Sequence, residues 1–163
     1  MSENHKTKVE DLVPIGQKLA VGAGMFPIQN GGLIVQSMAA PIFQIFLGLN
    51  PALFGLAMTI PRIWDAFTDP VMGRISDRTQ SRYGRRRPYV FVGALAVALT
   101  FLTIWMVPQS MSDTGKFLWL TVSSVLFFTA FTAFSVPYNA LVYEQTPDYH
   151  ERTRLMFYLA LFY

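Results

Sequence analysis

The stretch from Arg62 to Gly73 carries an unusual density of side chains that could do chemistry. Spacings of three, four and four residues put its polar members on one face of a helix: Arg62, Asp65, Asp69 and Gly73. The two carboxylates lie one turn apart with the Thr68 hydroxyl beside them, and such hard oxygens are the ligands of small cations. We therefore interpret Asp65 and Asp69 as a candidate site for a cation, with Na⁺ as the metal, or for a proton.

This helix belongs to a chain of strongly apolar composition. Of its 163 residues, 52% are hydrophobic and 14% are charged, whereas a soluble domain has about 25% charged residues. This balance excludes a disordered chain and a nucleic-acid partner, and it disfavours a soluble globular domain. Cysteine is absent, which excludes a disulfide framework and thiol catalysis. We predict no catalytic residues and expect that the protein is not an enzyme.

Long uncharged runs predict an all-α membrane protein with four transmembrane helices and the start of a fifth. A spanning helix needs roughly 20 mostly apolar residues. The runs place such helices at about 16–47, 51–76, 88–107 and 117–143. A fifth begins at about Leu155 and reaches only about 13 Å by the end of the chain, so we expect a truncated span. The first helix exceeds a ~30 Å hydrocarbon core, which predicts tilt or a kink at Pro27 or Pro41.

Positive charges assign a direction to these helices. Eleven of the thirteen lysines and arginines fall in three places: the N-terminal segment with Lys18 at its edge, the loop after the second helix, and the segment after the fourth. Lys116 lies in an opposite loop, and Arg62 lies inside a helix. By the positive-inside rule the N-terminal segment, 1–15, is cytoplasmic. The sequence therefore predicts a multi-pass protein of the cell membrane.

An acid inside a spanning helix requires compensation. Each carboxylate at the centre of a span costs ~2.5–3.5 kcal/mol on insertion, so Asp65 and Asp69 must face a polar interior. Two interpretations stay open at this point. Either Arg62 forms a structural ion pair with one of the two acids, or a bound cation or proton neutralises the acid that Arg62 leaves uncompensated.

The loop that follows the second helix is rich in arginine and sets the topology of the chain. We also interpret it as a conformational latch, in which Asp77 at the helix end is held by an arginine in one state and released in another. The residues assigned to this latch are Gly73, Asp77, Arg78, Arg85 and Arg86.

The stretch Arg62-Ile-Trp-Asp-Ala-Phe-Thr-Asp-Pro-Val-Met-Gly73 resembles the signature of the glycoside–pentoside–hexuronide:cation symporters, a melibiose-permease-like family of the major facilitator superfamily. Residues 73–87 resemble that superfamily's loop between helices 2 and 3, and residues 135–141 and 151–156 resemble helix 4 and the loop after it. The resemblance implies a twelve-helix transporter of two six-helix halves that works by alternating access. This chain would form part of the N-terminal half.

The resemblance also implies roles for single residues. The family's coupling-cation site falls on Asp65, Thr68, Asp69 and Thr132. The sugar site transfers poorly, because two acidic positions of the family are occupied here by amide and hydroxyl side chains and an expected arginine is Ala160. The weak candidates for substrate binding are Gln29, Asn30, Ser135 and Asn139.

The sequence thus predicts the N-terminal portion of a symporter that couples Na⁺ or H⁺ to a sugar or glycoside. Its expected partners are that substrate, membrane lipid and the remaining helices of the transporter, and no organic cofactor is expected. One alternative is a non-transporting truncated fragment or a small helical membrane oligomer. A remote alternative is a metal-dependent membrane phosphotransferase that uses Asp65, Asp69 and Asp77, but no second Asp-rich stretch follows in the sequence.

Overall fold

The computed structural model describes residues 11–82 and 84–162, and every regular element in this part is helical. The helices are α1 (Ile15–Ala40), α2 (Pro51–Arg78), α3 (Arg87–Trp105), α4 (Asp113–Tyr143) and α5 (Tyr149–Ala160). The all-α prediction is therefore confirmed for this part of the chain. Most of the predicted cytoplasmic segment 1–15, and the last residue of the predicted fifth span, lie outside the described residues.

Helix α1 is shorter than the predicted helix 16–47, because its regular hydrogen bonding changes at a proline. Pro41 has no N–H to donate to the preceding turn, and the chain continues from Pro41 to Phe46 as a π-helix. Leu47 closes this segment by donating its N–H to the Ile42 carbonyl at 2.9 Å. Pro27 lies inside α1 without ending it, so the irregularity falls at the second of the two prolines that the sequence indicated.

Helix α2, which carries Arg62, Asp65 and Asp69, begins with a strong N-terminal capping signal. The Asn50 side chain accepts a hydrogen bond from the Ala52 N–H at 2.8 Å, and Pro51 occupies the first turn. An Asn cap satisfies one of the free N–H groups at a helix start, and proline is tolerated there because its own missing N–H would be unpaired. The helix then runs uninterrupted through Asp65 and Asp69 to Arg78.

Helices α4 and α5 begin earlier than the apolar runs that predicted them. Helix α4 starts at Asp113 rather than 117, and an acid in the first turn interacts favourably with the helix dipole. Helix α5 starts at Tyr149 rather than 155, because Asp148 caps it by accepting the His150 N–H at 2.8 Å. The predicted starts at 117 and 155 were too late, because the first turn of each helix is polar and a hydrophobic run does not include it.

Two helices of the described part, α3 and α4, are long and apolar enough to cross a membrane. They approach each other closely at Gly93, where an added Cβ would lie 2.8 Å from the backbone N and Cα of Phe134. Only glycine permits this contact, which is a common way for membrane helices to pack. The prediction of four spanning helices goes beyond this finding and remains a prediction.

The chain divides into two compact units, one made of the described parts of Met1–Gly31 and Asn139–Tyr163 and the other of Gly32–Tyr138. The second unit has a core of buried apolar side chains, in which Phe43, Leu120 and Phe127 are almost inaccessible to solvent. This core holds α2 and α4, the two helices that carry the residues of the predicted cation site.

Candidate functional site

Asp65 has a carboxylate oxygen that no neighbour satisfies. Its Oδ1 atom is buried and lacks a hydrogen-bond partner among the residues that the structure describes. Its Oδ2 atom lies 4.0 Å from Arg62 Nη1, and 18% of the side chain is exposed. A buried and unpaired polar oxygen costs free energy, so this carboxylate offers a vacant acceptor to a cation or a proton.

Asp69, one turn further along α2, is bound to α4. Thr132 Oγ1 donates a hydrogen bond of 2.8 Å to Asp69 Oδ1, and Thr132 itself is buried. Residues four apart on a helix have Cβ atoms about 5–6 Å from each other. The Asp65 and Asp69 carboxylates and the Thr132 hydroxyl therefore lie in one neighbourhood, within the unit Gly32–Tyr138.

The Thr68 hydroxyl is hydrogen-bonded within its own helix and not to the carboxylate of either acid. Its hydroxyl donates to carbonyls of its own helix, at 3.3 Å from Trp64 O and 3.5 Å from Asp65 O. Both contacts are long, and the oxygen keeps its acceptor lone pairs. Thr68 also lines a groove of about 390 Å³ between α2 and α4, together with Thr129 and Thr132 and apolar side chains.

The Arg62 guanidinium contacts several groups. With the Gln36 amide oxygen turned toward the guanidinium, that oxygen accepts from Arg62 Nε at 3.1 Å and also from Arg62 Nη2. The guanidinium stands over the Phe128 ring at 5.0 Å from its centre, in a cation–π contact. Because its contact with Asp65 is only 4.0 Å, Arg62 does not occupy either acid as a close ion pair.

Gln36 was not singled out by the sequence analysis. The signal available there was an amide in an otherwise apolar part of α1, but its partner is 26 residues away along the chain.

The described acids are too sparse for a multi-ligand metal centre. In residues 11–82 and 84–162, no three His, Asp or Glu side chains gather into a group that would hold a metal ion. Asp77 is eight residues beyond Asp69 on α2, about 12 Å along the axis. The acids that the phosphotransferase alternative would use are therefore spread along the helix, whereas Asp65 and Asp69 suit a monovalent ion or a proton.

The weak substrate-binding candidates fall in different units. Gln29, Asn30 and Asn139 belong to the first unit and Ser135 to the second. The Asn30 amide donates to the Phe26 carbonyl of its own helix at 3.1 Å. All four side chains are partly buried, and their assignment to a substrate stays a prediction.

Two members of the predicted latch are joined. Arg86 Nη2 lies 2.5 Å from Asp77 Oδ1, which links the end of α2 to the residue before α3. A second link follows, with Thr79 Oγ1 at 2.6 Å from Tyr89 Oη. Arg78 and Arg85 are exposed. An added Cβ on Gly73 would lie 3.9 Å from Val136 Cγ1.

A buried ion pair in the first unit was missed by the sequence analysis. Glu151 is fully buried, accepts a hydrogen bond from the Val13 N–H at 3.1 Å, and lies 2.5 Å from Lys18 Nζ. Lys18 is also buried and stands 5.5 Å from the centre of the Tyr158 ring. In the sequence, Lys18 is only one of the positive charges that indicate the topology. The available hint was an acid, Glu151, next to two arginines in a basic segment.

Comparison with known proteins gives a consistent result. Residues 20–162 match the family described as "MFS/sugar transport protein". The chain is 37% identical over 147 residues to an uncharacterised symporter of Synechocystis sp., which is 85% of this chain and 26% of that protein. It is 34% identical over 126 residues to a putative glycoside/cation symporter of Escherichia coli, 76% of this chain and 27% of that protein.

A third relative is named for a different substrate. The chain is 37% identical over 114 residues to the sodium-dependent lysophosphatidylcholine symporter 1-A of Danio rerio, which is 67% of this chain and 21% of that protein. The chain thus spans about a quarter of the length of these curated relatives.

Proposed function

We propose a cation-coupled transport function for this chain, which belongs to the MFS/sugar transport protein family, a family of integral membrane symporters. Its members are transporters rather than enzymes, which rejects the phosphotransferase alternative. The observation that carries the proposal is the buried Oδ1 of Asp65, which has no hydrogen-bond partner in the described part of the chain. It lies one helical turn from a second acid that α4 holds through Thr132.

The proposed arrangement in the membrane follows from charge and length. Helices α1 to α4 would cross the cell membrane, with the N-terminus in the cytoplasm, and a fifth span would begin at about Leu155, after the first turns of α5. The chain would then form part of the N-terminal six-helix half. The other helices of a full-length transporter would complete the substrate cavity between the two halves. The membrane lipid and those helices are its proposed partners.

In the proposed mechanism, Na⁺ or H⁺ binds at Asp65 and Asp69. The cation neutralises the carboxylate that Arg62 compensates only at 4.0 Å, and the oxygens of Thr68 and Thr132 add uncharged ligands. Neutralisation removes the repulsion between two adjacent acids and favours the state that binds substrate. By linkage, substrate binding tightens cation binding by the same factor.

For the substrate we propose a sugar or glycoside. The candidate side chains Gln29, Asn30, Ser135 and Asn139 are each of a type that could hydrogen-bond an uncharged polyol through a hydroxyl or an amide group. The support is the description of the matched family and the name of the Escherichia coli relative.

The contribution of Thr132 can be tested in the full-length protein in membrane vesicles. We expect Thr132→Val to weaken the apparent cation affinity for stimulated uptake about 10- to 100-fold, because a group that orients a ligand is lost, with uptake at saturating cation retained. The measurement is the half-saturating Na⁺ or H⁺ concentration. Thr121→Val is the matched control, since Thr121 lies on the same helix and donates to the Phe117 carbonyl at 2.8 Å. Equal half-saturation in wild type and Thr132→Val would reject the assigned role.

We also propose that the Asp77–Arg86 pair stabilises one of the two alternating-access states. Asp77 is 58% exposed and Arg86 is 12% exposed. Because solvent reaches the acid, we take the pair to be worth about 1 kcal/mol, the upper end of the range for surface pairs. Asp77→Asn and Arg86→Gln should therefore each shift the ratio of inward- to outward-open states by up to about fivefold. Distances between spin labels on the two sides of the full-length protein measure this ratio. Arg74→Gln removes the same charge from an exposed position of α2 that is not assigned to the latch, and an equal shift in that variant would contradict the proposal.

A further inference from the structure

A cavity at the start of α3 combines positive charge with an apolar wall. It has a volume of about 800 Å³. Its described lining is Arg82, Gly84, Arg87, Pro88, Phe91 and Val92. The cavity is on the side of α3 that adjoins the arginine-rich loop, and it shares no residue with the proposed cation site on α2.

The backbone of the loop shapes this cavity. Gly84 has a φ angle of +99°, which other residues rarely adopt, and its N–H donates to the Ser81 carbonyl at 3.0 Å. A Cβ on Gly84 would lie 3.7 Å from Arg87 Cδ, so the methylene stem of Arg87 runs past the turn. The turn therefore places the Arg82 and Arg87 side chains on the same cavity.

The surrounding charge is strongly positive. Residues 74–87 contain six arginines and a single acid, Asp77. A cluster of several arginines directly beside the end of a membrane helix is the arrangement that attracts anionic lipid headgroups. A ligand with a negatively charged phosphate therefore suits this arginine cluster.

An apolar stripe leads from the cavity along α3. Its members are more than half exposed: Phe91, Val92, Leu95, Leu99 and Leu102. Their spacing keeps them near one face of the helix, and from residue 91 to 102 they extend about 16 Å. One leaflet of a ~30 Å hydrocarbon core has about this depth.

We propose that this cavity binds an anionic phospholipid, whose phosphate lies against Arg82 and Arg87 and whose acyl chains lie along the exposed apolar side chains of α3. The proposal rests on the proposed membrane topology, which puts the loop at the cytoplasmic surface. It does not depend on the cation site.

The test uses the full-length protein purified in an uncharged detergent and titrated with phosphatidylglycerol or phosphatidylcholine, with bound lipid counted by native mass spectrometry. We expect a saturable phosphatidylglycerol site that phosphatidylcholine does not fill. The double variant Arg82→Gln/Arg87→Gln should bind phosphatidylglycerol about 25-fold more weakly, from about fivefold for each arginine. Unchanged binding in this variant would overturn the proposal.

A matched control separates a site from diffuse attraction. Arg78→Gln/Arg85→Gln removes the same charge from positions that do not line the cavity. These side chains act on the lipid only at a distance, where salt screens the attraction, so we expect no more than about a threefold effect. Equal losses in the two double variants would show a general surface potential and reject the site.

A second variant and a competitor identify the ligand. Phe91→Ala keeps the charge and removes apolar contact, and it should weaken phosphatidylglycerol binding roughly tenfold. Inorganic phosphate should not displace the lipid. Displacement by phosphate together with full binding by Phe91→Ala would indicate a soluble-anion site and overturn the lipid assignment. Asp69→Asn should leave lipid binding intact, so a failed transport mechanism and a failed lipid site are distinguishable.

Discussion

Asp69→Asn is expected to abolish the uphill accumulation of substrate by the full-length protein under a Na⁺ or H⁺ gradient. An asparagine can still accept a hydrogen bond from Thr132, so the contact of 2.8 Å between α2 and α4 is retained. The variant has lost the charge that a cation neutralises. Coupling requires that cation and substrate favour the same state, and without cation binding the accumulation ratio should fall to one.

Measurements in vesicles separate coupling from folding. Uptake driven by an imposed gradient should disappear, whereas exchange of labelled for unlabelled substrate should persist if the cavity is intact. Asp113→Asn makes the same chemical change at an exposed acid 3.5 Å from Lys116 and should transport like wild type. Unchanged uphill uptake in Asp69→Asn would reject the cation site, whatever the stability of the variant.

Glu151→Gln is expected to destabilise the protein by about 3–5 kcal/mol, since it leaves Lys18 charged and buried without its counterion. The glutamine oxygen can still accept from the Val13 N–H, so the effect reports on the charge pair rather than on that hydrogen bond. The free energy of unfolding of the full-length protein in detergent measures the loss. Glu144→Gln, at an exposed position of the same segment, should change it by no more than about 1 kcal/mol.

A second substitution tests the cause. In Lys18→Met/Glu151→Gln no buried charge remains, and replacing a buried pair by uncharged groups is often neutral. We therefore expect the double variant to recover most of the stability that Glu151→Gln loses. If the double variant is instead destabilised by the sum of the two single effects, the residues do not act as a pair.

The pair also predicts a pH dependence. Burial acts to raise the pKa of Glu151, but hydrogen bonds from Lys18 and Val13 and the attraction of Lys18 and Arg154 outweigh it, so the pKa is lowered. A lowered pKa contributes stability above the ordinary value of about 4.3, and this contribution is lost as the pH falls through the folded-state pKa. Wild type should thus keep this contribution from neutral pH down to about 5, and acid unfolding of Glu151→Gln should lack the corresponding step.

Local patterns in the sequence predicted most of the helices and the placement of Asp65 and Asp69, the two acids of the proposed cation site. Uncharged runs located α1, α3, α4 and the first part of α2, because a helix that crosses a membrane must be largely apolar. The 3-4-4 spacing put Asp65 and Asp69 on one face, because helix geometry alone decides which residues share a side. The helix starts at Asp113 and Tyr149 were not predicted, since caps and polar first turns depend on single side chains.

Contacts between residues that are distant in the sequence were revealed only by the tertiary structure. Thr132 meets Asp69 across 63 positions, and Glu151 meets Lys18 across 133. Family resemblance suggested the first contact, whereas the position of Glu151 beside two arginines did not indicate Lys18 as its partner. The vacant oxygen of Asp65 is likewise a property of packing, because it depends on Arg62 turning toward Gln36 and Phe128. Spacing along a helix limits which groups can be neighbours on that helix, whereas their partners on other helices are chosen by side-chain packing in three dimensions.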